Sequence, residues 1–180
     1  MADRKDALVA AAGFINKVPE IVKEYGNEFT VATVGTIKVT PHSVNVIPGT
    51  CTFSLEIRDQ SAEVMKLIEN HLRRLLEDIC KKYGVTSTFV PTSYHDPAPM
   101  SELVRGTIEE AVKELGIDYT VIPSGAFHDS LIMTSVFPTG MIFVPSKDGI
   151  SHSRYEYTAP EDIENGCNVL LNTVLKLDEK

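Results

Sequence analysis

Apolar residues recur at three- and four-residue spacing over residues 3–25, through Leu8, Ala11, Ala12, Ile15, Val18, Val22 and Tyr25, the stripe of a helix resting on a sheet or a second helix. Pro19 falls inside the stripe. It lacks an N–H and its ring clashes with the preceding turn, which predicts a kink or a restart with Pro19 in a first turn. The period then changes to two. Phe29, Val31, Thr33, Gly35, Ile37 and Val39 alternate in one segment, and Cys51, Phe53, Leu55 and Ile57 in another, predicting two strands. In the second strand Thr52, Ser54, Glu56 and Arg58 take the noncore face. The connection over residues 40–49 is too long for a tight hairpin, and its Val44, Val46 and Ile47 predict that it packs against something. Residues 61–83 form the clearest helix, with Val64, Leu67, Ile68, Leu72, Leu75, Leu76, Ile79 and Tyr83 on one face and Gly84 as C-terminal cap. Residues 85–90 read as a third strand.

A proline-rich stretch, with Pro91, Pro97 and Pro99, marks the best linker, and the domain boundary is expected near residues 92–98. Beyond it helix and strand alternate. Leu103, Val104, Thr107, Ile108, Ala111, Val112 and Leu115 predict a helix closed by Gly116, followed by a strand over 119–122, a short helix over 128–134 and a strand over 140–144. Thr158 and Glu161 form a capping-box pattern with Pro160 in the first turn, opening a last helix through Ile163, Cys167, Leu170, Leu171 and Val174. The second half reads as α/β.

With 180 residues and 43% hydrophobic content, the chain can bury a core as one large domain or two small ones. Lys plus Arg number 17 against 25 Asp plus Glu, a net charge of −8, which opposes binding to nucleic acid or an anionic membrane. No apolar run reaches the roughly 20 residues of a bilayer span, and the sequence from Met1 leads into a helical pattern and not a signal peptide. Cys51, Cys80 and Cys167 are odd in number and widely spaced, which fits a reducing cytoplasm better than a disulfide framework.

Two loops follow predicted strands of the α/β half. One, residues 123–130, carries His128 and Asp129, and the other, residues 145–153, carries His152. In open α/β sheets ligands bind at the carboxyl ends of strands, so the two loops are candidates for one rim. The same residues also fit a plain role, as turn glycines and half-exposed loop histidines. The imidazole of His152 suits zinc or manganese, yet a catalytic site takes about three protein ligands and no companion stands at a convincing spacing. Arg58 and Asn45 suit a carboxylate and an amide-like group. Arg58 equally suits a salt bridge to Glu56, Asp59 or a domain neighbour.

At these residues the sequence resembles a known family. The run from Arg4 to Ala12, Thr33-Val-Gly35 leading to Asn45-Val-Ile-Pro-Gly49, Arg58, Gly125-Ala-Phe-His-Asp129, Met141 to Ser146, and Ser151-His-Ser-Arg-Tyr-Glu156 resemble the carboxy-terminal portion of the amidase, hydantoinase and carbamoylase branch of the M20 metallopeptidase superfamily. N-carbamoyl-L-amino-acid hydrolase and allantoate amidohydrolase belong to that branch. The resemblance covers essentially the whole chain. It implies an α+β satellite, or dimerisation, domain over residues 1–92, ferredoxin-like and lacking one strand. Residues 93–180 would then be the C-terminal part of an α/β, zinc-peptidase-like catalytic domain.

The implied roles follow residue by residue. His152 would be the last ligand of a two-metal site, Asn45 and Arg58 would bind the substrate carboxylate and neighbouring polar groups, and His128 would line the pocket. Phe127 stands where the family has a glycine, and Arg154 where it has a proline, so both bear on the choice of substrate. The implied reaction is metal-assisted hydrolysis of a linear ureido or amide C–N bond, with Zn or Mn as the divalent ion and a carboxylate-bearing ureido compound as substrate. The remaining metal ligands and the general base, which the family carries upstream, are absent from the chain. It is therefore expected to be an inactive, metal-free fragment that homodimerises. The alternative is a noncatalytic dimerisation or binding module.

Overall fold

A computed structural model describes residues 3–179; Met1, with which the expected lead-in to the first helix begins, lies outside them. The described chain divides into two compact units between Pro97 and Ala98.

In the first unit, α1 (Ala7–Tyr25) begins at a buried N-cap, Asp6, whose Oδ1 accepts from the Leu8 and Val9 backbone N–H groups at 3.0 Å each. The helix runs through Pro19 without a restart. The turn ahead of it is held by burial, since Ala10, Phe14 and Val18 sit in the core and the Pro19 ring faces outward. The buried stripe is rotated from the expected one. Phe14, 1% exposed, is its centre, whereas Ala12 is exposed.

The two expected strands are each broken in two. β1 (Val31–Thr33) pairs antiparallel with β4 (Glu56–Arg58), and β2 (Ile37–Thr40) pairs antiparallel with β3 (Thr50–Phe53), making one long hairpin ribbon. Between the Thr33–Glu56 and Ile37–Phe53 rungs, Val34, Gly35 and Thr36 oppose only Ser54 and Leu55. That is the extra residue of a β-bulge, and it shifts the side-chain alternation by one position. Ala32 and Val34 therefore face the core where Val31 and Thr33 were expected to, and Val31 is 52% exposed. Ser54 ties the bulge, accepting at Oγ from the Thr36 N–H at 3.0 Å and donating its own N–H to the Thr36 carbonyl at 3.2 Å. Along the second strand Cys51, Phe53, Leu55 and Ile57 point inward and Thr52, Ser54, Glu56 and Arg58 outward.

The loop over residues 41–49 leaves Val44, Val46 and Ile47 exposed, against the expectation that it packs; its anchor is the Pro48 carbonyl, which accepts from the Ala7 N–H at 3.1 Å. Helix α2 (Ala62–Tyr83) starts at the Ser61 N-cap and ends at Gly84, whose φ of 64° is the left-handed geometry glycine adopts freely. Ile68, Leu72 and Ile79 meet Ala10, Phe14 and Val18 over the inner face of the ribbon. Residues 85–90, expected as a strand, form no ladder; Val85 packs on the core and Phe89 lies under the Arg73 guanidinium at 3.7 Å.

In the second unit, α3 (Glu102–Leu115) packs on α5 (Pro160–Asp178), with α4 (Asp129–Met133) between them in sequence. Thr107, Ala111 and Val112 of α3 and Val169 and Thr173 of α5 are buried, and each threonine hydroxyl donates to a carbonyl one turn back. The expected capping box of α5 does not form. Ala159 is the N-cap, and Pro160 takes the first helical position that suits its fixed φ. Residues 119–122 and 140–144 form no ladder, so the α/β expectation is not met within this unit. A strand requires a hydrogen-bonded neighbour, and neither segment has one among the described residues. The architecture is thus mixed α and β, with two small antiparallel sheets confined to the first unit. No helix among the described residues is long and apolar enough to cross a membrane.

Candidate functional site

In the first unit Arg58 occupies the last rung of the ribbon, opposite Val31, with its guanidinium on the exposed face. Its Nη2 donates to Glu56 Oε2 at 2.7 Å. That hydrogen bond, more than the charge alone, holds the Glu56 carboxyl below its ordinary range and raises the Arg58 value further. Both side chains are about half exposed, so the pair adds little to stability, and a carboxylate ligand can compete with Glu56 for the guanidinium. Asn45 sits in the loop at the opposite end of the ribbon, its Oδ1 accepting from the Ser43 hydroxyl at 2.8 Å. The ribbon between their anchoring rungs covers residues 50–58, roughly 26 Å at about 3.3 Å per residue.

In the second unit His128 is the N-cap of α4, half-buried, with its ring edge-on to Phe143 at 5.7 Å. Ser130 Oγ lies 2.9 Å from Met141 Sδ. The loop bearing His128 is thereby fastened to residues 140–144, which lead into the loop bearing His152. Phe127 is 57% exposed.

His152 is exposed and adopts φ 55°, a left-handed backbone uncommon for a residue with a Cβ. Its backbone N–H donates to Glu156 Oε2 at 2.9 Å, and the Glu156 N–H donates to the Ser153 carbonyl at 3.0 Å. Upstream, Asp148 and Gly149 are left-handed as well, and the Lys147 N–H donates to the Tyr157 carbonyl at 2.8 Å, closing the loop at its base. Sequence reading did not single out Glu156. It ends the Ser151-His-Ser-Arg-Tyr-Glu156 motif, but no side-chain pattern announces that its carboxylate reaches a backbone donor.

The imidazole of His152 fits as one donor to a divalent ion. No group of three or more His, Cys, Asp and Glu able to hold a metal occurs among the described residues, so His152 does not make a site with them.

The sequence profile of peptidase family M20/M25/M40 matches residues 11–176. The chain belongs to that family. Its place among M20 proteins is the amidase, hydantoinase/carbamoylase and allantoate amidohydrolase branch. This M20 chain is 38% identical over 177 residues to N-carbamoyl-L-amino acid amidohydrolase of Geobacillus stearothermophilus, covering 98% of the chain and 43% of that protein. It superposes on a hydantoinase/carbamoylase family amidase from Burkholderia vietnamiensis with a TM-score of 0.91 at 34% identity, covering 98% of the chain and 42% of that structure. On AtUAH in complex with glyoxylate the TM-score is 0.94 at 35% identity, covering 100% and 43%. The M20 chain thus spans less than half the length of these relatives.

Proposed function

We propose that this chain is part of a two-metal amidohydrolase that cleaves the linear C–N bond of an N-carbamoyl-L-amino acid or an allantoate-like ureido compound. The observation that carries the reading is the similarity to N-carbamoyl-L-amino acid amidohydrolase across 98% of the chain. A related structure holding glyoxylate, a small carboxylate, supports a carboxylate-bearing substrate. Residues 1–92 act as a satellite domain whose ferredoxin-like sheet is reduced to the paired hairpin ribbon, and residues 93–180 as the C-terminal part of the catalytic domain. Arg58 grips the substrate carboxylate with two parallel N–H donors, releasing Glu56 to water, and Asn45, at the far end of the ribbon, serves a polar group of a substrate molecule other than the one Arg58 holds. His128 and Phe127 line the substrate pocket, with Phe127 narrowing it. His152 contributes one imidazole to a Zn or Mn site. When bound, the paired ions supply Lewis acidity toward the ureido carbonyl.

One imidazole is too few donors to hold an ion tightly, so the chain alone is expected to take up no stoichiometric zinc or manganese and to be inactive. The test assembles the chain with a segment supplying the remaining donors and follows kcat/KM for an N-carbamoyl amino acid. Arg58→Lys replaces a rigid fork with a point charge and should lower kcat/KM about tenfold or more with thermal melting unchanged. Unchanged kinetics remove Arg58 from the site. An assembly that binds the substrate's carboxylate yet never hydrolyses it favours a noncatalytic binding module.

A further inference from the structure

We infer that Glu156 is a positioning residue that holds His152 in its left-handed backbone conformation. The inference rests on the reading above in its claim that His152 is a metal ligand, but its structural basis is separate. A φ of 55° is disfavoured for histidine because its Cβ crowds the following carbonyl, and His152 is exposed, so burial does not impose the conformation. What imposes it is the Glu156 carboxylate, a charged acceptor 2.9 Å from the His152 backbone N–H. Glu156 is held in turn by its own N–H on the Ser153 carbonyl at 3.0 Å. The Tyr155 N–H donates to Ser153 Oγ at 3.2 Å, and the Arg154 guanidinium covers the Tyr155 ring at 4.7 Å, so the residues between 152 and 156 form one stitched turn. The φ of His152 sets the direction in which its Cα–Cβ bond leaves the backbone. A ligand imidazole must be aimed in advance, and the partners that aim it commonly change metal affinity by about 10–100-fold. Glu156 aims this one through the main chain instead of through the ring.

The experiment uses the 13C,15N-labelled chain with Glu156→Ala and Glu156→Gln. The readouts are the three-bond coupling between the His152 Hα and the preceding carbonyl carbon, which is large at a left-handed φ and small in the helical and polyproline range, and the exchange rate of the His152 amide. In Glu156→Ala the coupling should leave its left-handed value and exchange should quicken about tenfold. In Glu156→Gln both should stay near the parent, because the side-chain carbonyl can accept the same N–H. Melting temperature should be the same in all three, since Glu156 is exposed. Unchanged coupling and exchange in Glu156→Ala would overturn the proposal, and so would a Glu156→Gln variant that behaves like the alanine one. A second arm measures zinc affinity in the assembled enzyme. If the assembled parent binds zinc and Glu156→Ala leaves its affinity unaltered, the positioning role falls while the amidohydrolase reading stands. If the parent never binds zinc but the amide readouts respond as expected, the amidohydrolase reading falls and the contact between Glu156 and His152 stands.

Discussion

Asp6 shows how one side chain can serve several partners at once. It is buried, caps α1 through the Leu8 and Val9 N–H groups, and receives the Arg4 guanidinium, with Nε 3.0 Å from Oδ2. The Arg4 hydrogen bond first, and the Val9 N–H second, lower its pKa against the raising effect of burial. A lowered folded value means that the unfolded chain takes up the proton first as the pH falls. The stability from ionised Asp6 is thus complete above the ordinary carboxylate range and lost as the pH drops through the folded value. Asp6→Ala should cost about 1 kcal/mol at neutral pH. In Asp6→Asn, which still caps but carries no charge, the deficit should shrink toward zero in acid. Urea titrations of the three proteins across pH 2–7 check both; a deficit in Asp6→Asn that grows on acidification would reverse the sign of the argument.

Among the elements, α3 and α5 are pressed against residues 140–144 at two glycines. A Cβ on Gly140 would stand 2.7 Å from Val104 Cγ1, and one on Gly166 would stand 2.6 Å from Val144 Cγ1. Neither distance is tolerable without movement, and the neighbours are short branched side chains with few alternative rotamers. Gly140→Ala and Gly166→Ala should each destabilise the second unit by roughly 1–3 kcal/mol. Gly106, inside α3, has open space where a Cβ would stand, with nothing within 4 Å, so Gly106→Ala should stabilise the same unit by about 0.5–1 kcal/mol. Thermal melts of the three variants decide it, and equal destabilisation by all three would show that close approach does not distinguish these sites.

For the whole molecule, the unequal completeness of the two units is the leading fact. The first closes a core between two helices and a paired ribbon. The second leaves much apolar surface open, including Val121 at 64%, Phe137 at 58% and Leu171 at 57% exposed, and its two extended segments have no ladder partner among the described residues. Backbone amides without a ladder exchange readily. Amide exchange should therefore be slower over residues 50–58 than over 140–144, and the reverse order would show the second unit to be the stable one. An open ribbon edge is also a template for another chain. Homodimerisation through residues 1–92 is the expected assembly, measured by sedimentation equilibrium over a tenfold concentration range; a monomer throughout would contradict it.

The sequence by itself determined where the helices run. The apolar face of α2 and the glycines at 84 and 116 are local signals, set by spacing and by backbone freedom within a few residues. Which face is buried is not local in α1 and α5: Ala12, Ile163, Cys167, Leu170, Leu171 and Val174, all expected to face inward, are exposed. The sequence also determined the family, because several motifs in one order are legible without coordinates. The tertiary structure alone decided which residues of the first strand face inward, since a bulge at residues 34–36 reverses an alternation that reads as continuous in one dimension. It alone decided that 85–90, 119–122 and 140–144 are not paired strands, because a strand is defined by its neighbour and not by its own composition. The same holds for the sites. Residue types nominated Arg58 and His152 and offered Glu56 among the partners of Arg58, but only the folded chain selects Glu56 and shows that the His152 backbone hangs from Glu156, a contact fixed by backbone direction that side-chain identity does not encode.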